Sequence, residues 1–179
     1  MAKTVKNREG VIEVLNRARA DELAAIHQYM SMHYELDAHD YGPLAADVKL
    51  IAIDEMRHAE MLAERIHVIG GVPTSKPSSE VRKGLPVRET FKLLVELEEA
   101  AVRDYNEFYN VCLERRDSLS AQLFQTIIDE EQLHADHFSN IARHLQELGD
   151  AYLARIAGMP QNTGTRGPGF VAMKRGTAP

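Results

Sequence analysis

The sequence predicts an all-α fold, a four-helix bundle with one long crossover and a short fifth C-terminal helix. Three observations carry this. Apolar residues recur at helical spacing through four long stretches with no interior proline. The stretch Glu55-Met56-Arg57-His58-Ala59-Glu60 returns as Glu131-Gln132-Leu133-His134-Ala135-Asp136, with the shared core Glu-x-x-His-Ala-acid. Upstream, the spacing Glu22, Ala25, Tyr29 is matched by Glu98, Ala101, Tyr105, and 33 residues separate both Glu22 from Glu55 and Glu98 from Glu131. The chain thus reads as two copies of a helix pair, each giving one Glu from its first helix and Glu-x-x-His from its second.

The first helix is expected from about Arg8 to Asp37, with Leu15, Ala18, Ala25, Ile26 and Tyr29 on one stripe. Glu22 lies within that stripe, where a charge is costly unless paired or metal-bound. Asp37 to Pro43 is turn-forming and reads as a short link between antiparallel helices. The second helix follows from Leu44 to Ile69, with Val48, Ile51, Glu55, His58, Leu62 and Ile66 in line, and stops at Gly70-Gly71-Val72-Pro73. Thr74 to Leu85 has no periodicity. A helix near thirty residues spans about 45 Å, and roughly sixteen extended residues cover that distance. The segment is therefore expected to cross the length of the bundle, so that the third helix starts at the opposite end from where the second stopped.

That third helix runs from Pro86 to Arg116 and aligns Phe91, Leu94, Glu98, Ala101, Tyr105, Phe108 and Cys112. Asp117 is the expected N-cap of the fourth, which continues to Leu148 with Phe124, Ile127, Glu131, His134, Phe138 and Ala142 on one side. Gly149 ends it, and a short fifth helix is expected over Ala151–Ala157. Residues 1–158 form the bundle unit, and 159–179 a Gly/Pro/Thr-rich tail, mobile or lying on the surface.

At 179 residues and 20.1 kDa the chain fits one domain with a real core. A single cysteine, Cys112, excludes an internal disulfide framework and a cysteine-rich zinc site. No signal peptide or membrane span is recognisable, so the expected compartment is the cytoplasm. The formal net charge of −6 speaks against a nucleic-acid partner and suits cations.

On helices, residues three apart share a face about 5–6 Å apart, so each Glu-x-x-His offers an oxygen and a nitrogen side by side. One such pair is common on exposed helices and usually binds nothing; two, each with its matched upstream Glu, form a pattern. Glu22, Glu55, His58, Glu98, Glu131 and His134 would meet inside the bundle, where four bare carboxylates repel and are forced to bind protons. Two divalent cations relieve this, bridged by Glu55 and Glu131 and terminated by Glu22 and Glu98. Carboxylates and imidazoles without thiolate suit iron or manganese better than structural zinc. An iron pair there can pass electrons to dioxygen or peroxide, and the reaction read from the residues is oxidation of Fe(II) to Fe(III). Tyr29 and Tyr105 are placed to hydrogen-bond the ligand carboxylates. The remaining histidines, His27, His33, His39, His67, His137 and His144, read as surface or satisfied core residues.

Glu-Leu-Ala-Ala-Ile-His-Gln-Tyr from Glu22, Ile-Asp-Glu-Met-Arg-His-Ala-Glu from Ile53 and Asp-Glu-Glu-Gln-Leu-His from Asp129 closely resemble bacterioferritins, over roughly residues 8–158. The ligand set is the pattern of ferritin-like di-iron carboxylate bundles. The resemblance implies ferroxidase activity and storage of ferric mineral in a shell of twenty-four copies, built from haem-bridged dimers. It also implies haem held between two subunits by Met56, with Ala52, Ala59 and Ala63 leaving room beside it and Leu23, Ile26 and Met30 contributing from the first helix. An electron donor such as a ferredoxin is the corresponding partner. Leu50 stands where some members carry an inner-surface histidine, which removes one ligand from an accessory iron site and leaves Asp54 and Glu130 as its acidic residues. Two competing readings are a rubrerythrin-like peroxide-reducing oxidoreductase, opposed by the lack of a Cys-x-x-Cys module, and a haem electron carrier with structural bundle metals.

Overall fold

The computed structural model describes residues 2–161 and 169–176, with side chains from Arg8 onward. Its helices are α1 (Ala2–Ala38), α2 (Gly42–Val68), α3 (Val87–Glu114), α4 (Ser118–Leu148), α5 (Asp150–Ile156) and α6 (Phe170–Lys174). Helix α1 starts earlier than its apolar periodicity does. Residues 2–7 contain neither Gly nor Pro, and extending an existing helix costs far less than nucleating one. The N-cap of α4 is Asp117 as expected, its carboxylate accepting from the Ser120 N–H at 3.0 Å and from Arg65 at 2.6 Å. Among the described residues no helix is long and apolar enough to cross a membrane.

Side-chain pairings fix the helix directions. Tyr29 meets Glu98 while Tyr105 meets Glu22, so α1 and α3 are antiparallel. Arg65 meets Asp117 and Ser120 while His134 faces Asp54, so α2 and α4 are antiparallel. Each sequential pair, α1 with α2 and α3 with α4, packs along its length. Helix α3 therefore runs parallel to α2, and the segment between them must traverse the bundle, as the sequence predicts.

The crossover lies along α1. Asn16 and Arg19 bind the backbone at Val72 and Thr74, Ala20 accepts the Ser78 N–H at 2.9 Å, and Glu35 accepts from Gly84. Midway, the Gln28 amide gives its NH2 to the Arg82 carbonyl and takes the Arg82 N–H, both at 2.7 Å.

Two apolar clusters make the core, one around Tyr29, Leu44, Ile51, Phe91, Leu94 and Phe138, the other around Leu15, Leu62, Ile66, Phe108, Phe124 and Ile127. Between them lies a layer of buried carboxylates and imidazoles.

The described part of the tail lies against the bundle. After α5, Gly158 donates to the Asp40 carbonyl at 2.9 Å, and Gly42 is so close to Met159 and Pro160 that a Cβ there would collide. Farther on, α6 packs on α2, burying Phe170 and Val171. The physical reason is local: this apolar pair meets a polar and apolar surface made by residues distant in sequence, a match that tail composition does not display. Residues 162–168 and 177–179 of the predicted tail lie outside the described residues.

Candidate metal centre

All six repeat residues, Glu22, Glu55, His58, Glu98, Glu131 and His134, converge in the polar layer, and none is more than 1% exposed. Helical spacing explains the local part, since His58 lies one turn beyond Glu55 and their side chains meet at 3.1 Å. The long-range part comes from the antiparallel register of α2 with α4 and of α1 with α3.

The geometry is that of two overlapping nests. Around His58 Nδ1 stand Glu131 Oε1 at 3.0 Å, Glu55 Oε2 at 3.1 Å and Glu22 Oε2 at 3.7 Å. Around His134 Nδ1 stand Glu55 Oε1 at 3.2 Å, Glu131 Oε2 at 3.4 Å and Glu98 Oε2 at 3.7 Å. Glu55 and Glu131 each turn one oxygen to either nest, as bridging ligands do, while Glu22 and Glu98 belong to one nest apiece. In each nest the four candidate ligand atoms lie within 4.8 Å of one another.

Despite these distances, Glu55 Oε1, Glu131 Oε1 and His134 Nδ1 are buried without a hydrogen-bond partner. Buried polar atoms are almost always satisfied. Lone pairs that converge on a common point instead of on each other fit a cation, and the all-oxygen-and-imidazole donor set fits iron or manganese.

Charge crowding shows in the proton affinities of the metal-free site. Burial, then the neighbouring carboxylates, push Glu22 and Glu98 well above the usual carboxylate range. Burial also disfavours the imidazolium of His58 and His134, yet the carboxylates Glu131 and Glu55 outweigh it and raise both. Glu131 and Glu55 are lowered, because the two imidazoles overcome desolvation. Proton affinity is thus raised at the terminal glutamates and the imidazoles and lowered at the two shared glutamates.

Tyr29 donates to Glu98 Oε1 and Tyr105 to Glu22 Oε1, both at 2.7 Å, so the two tyrosines expected near the carboxylates bind the terminal ones crosswise. Beyond them a cavity of about 290 Å³ runs between α1 and α3, from Glu22, Glu55, Glu98 and Glu131 to the exposed crossover residues Ser78, Ser79 and Glu80. Its lining joins exposed crossover residues to carboxylates of both nests.

Met56 stands apart from this centre, 56% exposed on α2. Arg19 reaches the Ala59 carbonyl and His33 the Ala45 carbonyl, a register that puts Leu23 and Ile26 of α1 at the level of Met56, and both are half-buried. Among the other histidines, His27, His39 and His67 are exposed, and His33 is buried with Nδ1 2.8 Å from the Ala45 carbonyl oxygen. His137 is half-buried and packs on Phe170 at 4.5 Å between ring centroids. Asp54 and Glu130, expected as acidic residues of an accessory site, stand behind the imidazoles of His134 and His58. Glu130 Oε2 lies 3.2 Å from His58 Nε2, and Asp54 Oδ2 lies 3.6 Å from His134 Nε2. The available signal was positional, since each directly precedes a bridging Glu. Val171 and Arg175, which touch these two carboxylates, carried no sequence signal.

Known proteins resemble this chain in sequence and fold. The model of the ferritin-like domain matches residues 12–148. Bacterioferritin of Desulfovibrio desulfuricans is 53% identical over 161 residues, covering 90% of each chain. Bacterioferritin of Streptomyces coelicolor is 34% identical over 148 residues, covering 82% of this chain and 88% of its own. An X-ray structure of the Desulfovibrio desulfuricans bacterioferritin, described with its di-iron site in different catalytic states, superposes with a TM-score of 0.90 over 93% of this chain and 98% of that one, at 51% identity. Mycobacterium tuberculosis bacterioferritin BfrA gives 0.78 at 30% identity, covering 82% of this chain and 93% of its own. A family match along most of the chain and more than half identity over nine-tenths of it coincide with the duplicated carboxylate nests, and the chain belongs to the bacterioferritins of the ferritin-like fold.

Proposed function

We propose that the protein stores iron as a ferroxidase, taking up Fe(II), oxidising it to Fe(III) at the six-residue centre and retaining it as ferric mineral inside a homo-oligomeric shell of twenty-four copies. The observation that carries this reading is the sharing of both oxygens of Glu55 and Glu131 between two buried nests. One nest holds a single ion; two with common bridges hold a pair. A bound iron pair supplies one electron from each ion to dioxygen or peroxide.

The chain's own residues set the conditions for that chemistry. Glu22 and His58 terminate one position, and Glu98 and His134 the other. Tyr29 and Tyr105 keep their protons, pushed well above the ordinary phenol range by burial and then by the neighbouring glutamates, and each holds its terminal carboxylate in one orientation. The cavity beneath the crossover admits the Fe(II) substrate past Asp21, Glu80 and Asp104, whose charges favour a cation.

Met56 is the residue that would hold a haem, exposed on α2 at the level of Leu23 and Ile26, and a second copy would complete the site. Such a group would supply one-electron chemistry, to which a ferredoxin-type protein is the matching donor. The deciding experiment is Glu131→Ala. Loss of a shared bridge should leave the helical content intact and abolish the rapid phase of Fe(II) oxidation in stopped-flow absorption; an unaltered rapid phase refutes the centre.

A further inference from the structure

The ligand imidazoles present Nδ1 to the nests and turn Nε2 the other way, towards Glu130 and Asp54. A metal-binding histidine is oriented by whatever its second nitrogen faces, and loss of that partner typically costs about 10–100-fold in metal affinity. Glu130 and Asp54 are themselves held in place by another part of the chain.

The same short segment holds both. The Val171 N–H donates to Asp54 Oδ2 at 2.8 Å, and Arg175 Nη1 donates to Glu130 Oε1 at 3.0 Å. Each carboxylate is thus caught between an imidazole and the C-terminal segment, and Arg57 binds the other Asp54 oxygen at 3.0 Å. Phe170 sits edge-on to His134, with centroids 6.0 Å apart, and against His137. Phe170 and Val171 are 8% and 4% exposed, so the segment is anchored by apolar burial as well as by these bonds. Gly169 passes so close to the Asp54 carboxylate and Arg57 that a Cβ there would force these side chains to shift, which gives the glycine a steric reason to be there.

We propose that Gly169–Arg175 is a brace that positions His58 and His134 from behind, through Glu130 and Asp54, and thereby tightens metal binding on the face opposite the cavity. The inference rests on the six-residue centre being a metal site. Magnitudes decide which contact matters most. The Arg175 side chain is 46% exposed, and ion pairs at exposed positions contribute little. The Val171 N–H bond is buried, joins a backbone donor to a charged acceptor and lies beside the packed Phe170, so the segment grips Asp54 more firmly than Glu130; Asp54 Oδ2 in turn stands 3.6 Å from His134 Nε2, beyond hydrogen-bond reach, and acts on that imidazole by charge and packing.

The test is anaerobic Co(II) titration followed by the d–d absorption of the bound ion, a readout independent of turnover. Three assembled proteins are compared: the full chain, the chain ended after residue 168, and Gly169→Ala, which adds one methyl group against Asp54. Circular dichroism and light scattering establish that each is folded and assembled. The brace predicts two Co(II) per chain in the full protein and an affinity about 10-fold weaker in both variants, the lower end of the range for partners of ligand histidines. Curves for folded Gly169→Ala that superimpose on the full chain overturn the brace, whether or not the shortened chain folds. A full chain that takes up no Co(II) overturns the metal-centre reading, and the brace falls with it.

Discussion

Glu22 and Glu98 are the residues where burial and charge conflict most. Each is buried beside two other carboxylates, and each holds a proton to higher pH than an ordinary glutamate. His58 and His134 likewise stay protonated to higher pH than free imidazole. Metal must displace these protons. The sign follows: below the raised values protons occupy the ligands and affinity is low, and as pH rises through them affinity grows. Anaerobic Fe(II) binding near neutral pH is therefore expected to release protons, more of them at the acid end of the working range. Calorimetry in buffers of different ionisation enthalpy counts them, and a heat independent of the buffer would contradict the assigned protonation. The convergence of the six residues was legible in the sequence because the duplication places each at the same step of its helix pair. The crosswise bonds, Tyr29 to Glu98 and Tyr105 to Glu22, were not, because they join α1 to α3 and only packing sets which tyrosine reaches which carboxylate.

At the scale of elements, α2 and α4 follow one pattern, with an apolar turn, Glu, His, then another apolar turn, and this divides the core into two clusters around the charged layer. The crossover is the element whose stability bears on access, because Ser78, Ser79, Glu80 and Arg82 line the cavity. Its central attachment is the Gln28 amide. Each such hydrogen bond contributes about 0.5–1.5 kcal/mol net, so Gln28→Ala should loosen the strap without unfolding the helices. Hydrogen exchange should quicken around residues 78–84 and remain unchanged in α3 and α4; equal protection in both proteins would show that Gln28 does not hold the crossover. The long helices and the need for a crossover could be read from periodicity and from a stretch without it. Helix α6 could not. Five residues do not nucleate a helix alone, and Phe170 and Val171 are buried against Asp54, His134 and His137, none of which is near them in sequence.

For the whole molecule, Met56 is the outward-facing counterpart of the inward-facing centre, on the same helix and one residue from a bridging ligand. A large apolar side chain exposed to this degree amid half-buried α1 residues suits a surface closed by a second copy. Met56→Leu keeps the volume and removes the thioether sulfur, so it should yield assembled protein without the haem absorption bands. Light scattering on the same samples is expected to give a particle of about twenty-four chains; retained haem would refute the role of Met56 in holding it, and a particle of one or two chains would refute the shell.

By itself the sequence determined the all-α class, the order and approximate ends of the long helices, and the six polar residues that share a register. Periodicity and duplication are one-dimensional properties, and an α-helix converts spacing directly into a face. The tertiary structure alone decided how those faces meet: which oxygen of Glu55 and of Glu131 serves which nest, which tyrosine binds which terminal carboxylate, and that the C-terminal segment returns to Asp54 and Glu130. These depend on distances between residues tens of positions apart, which antiparallel packing and complementary surfaces establish and no local pattern encodes.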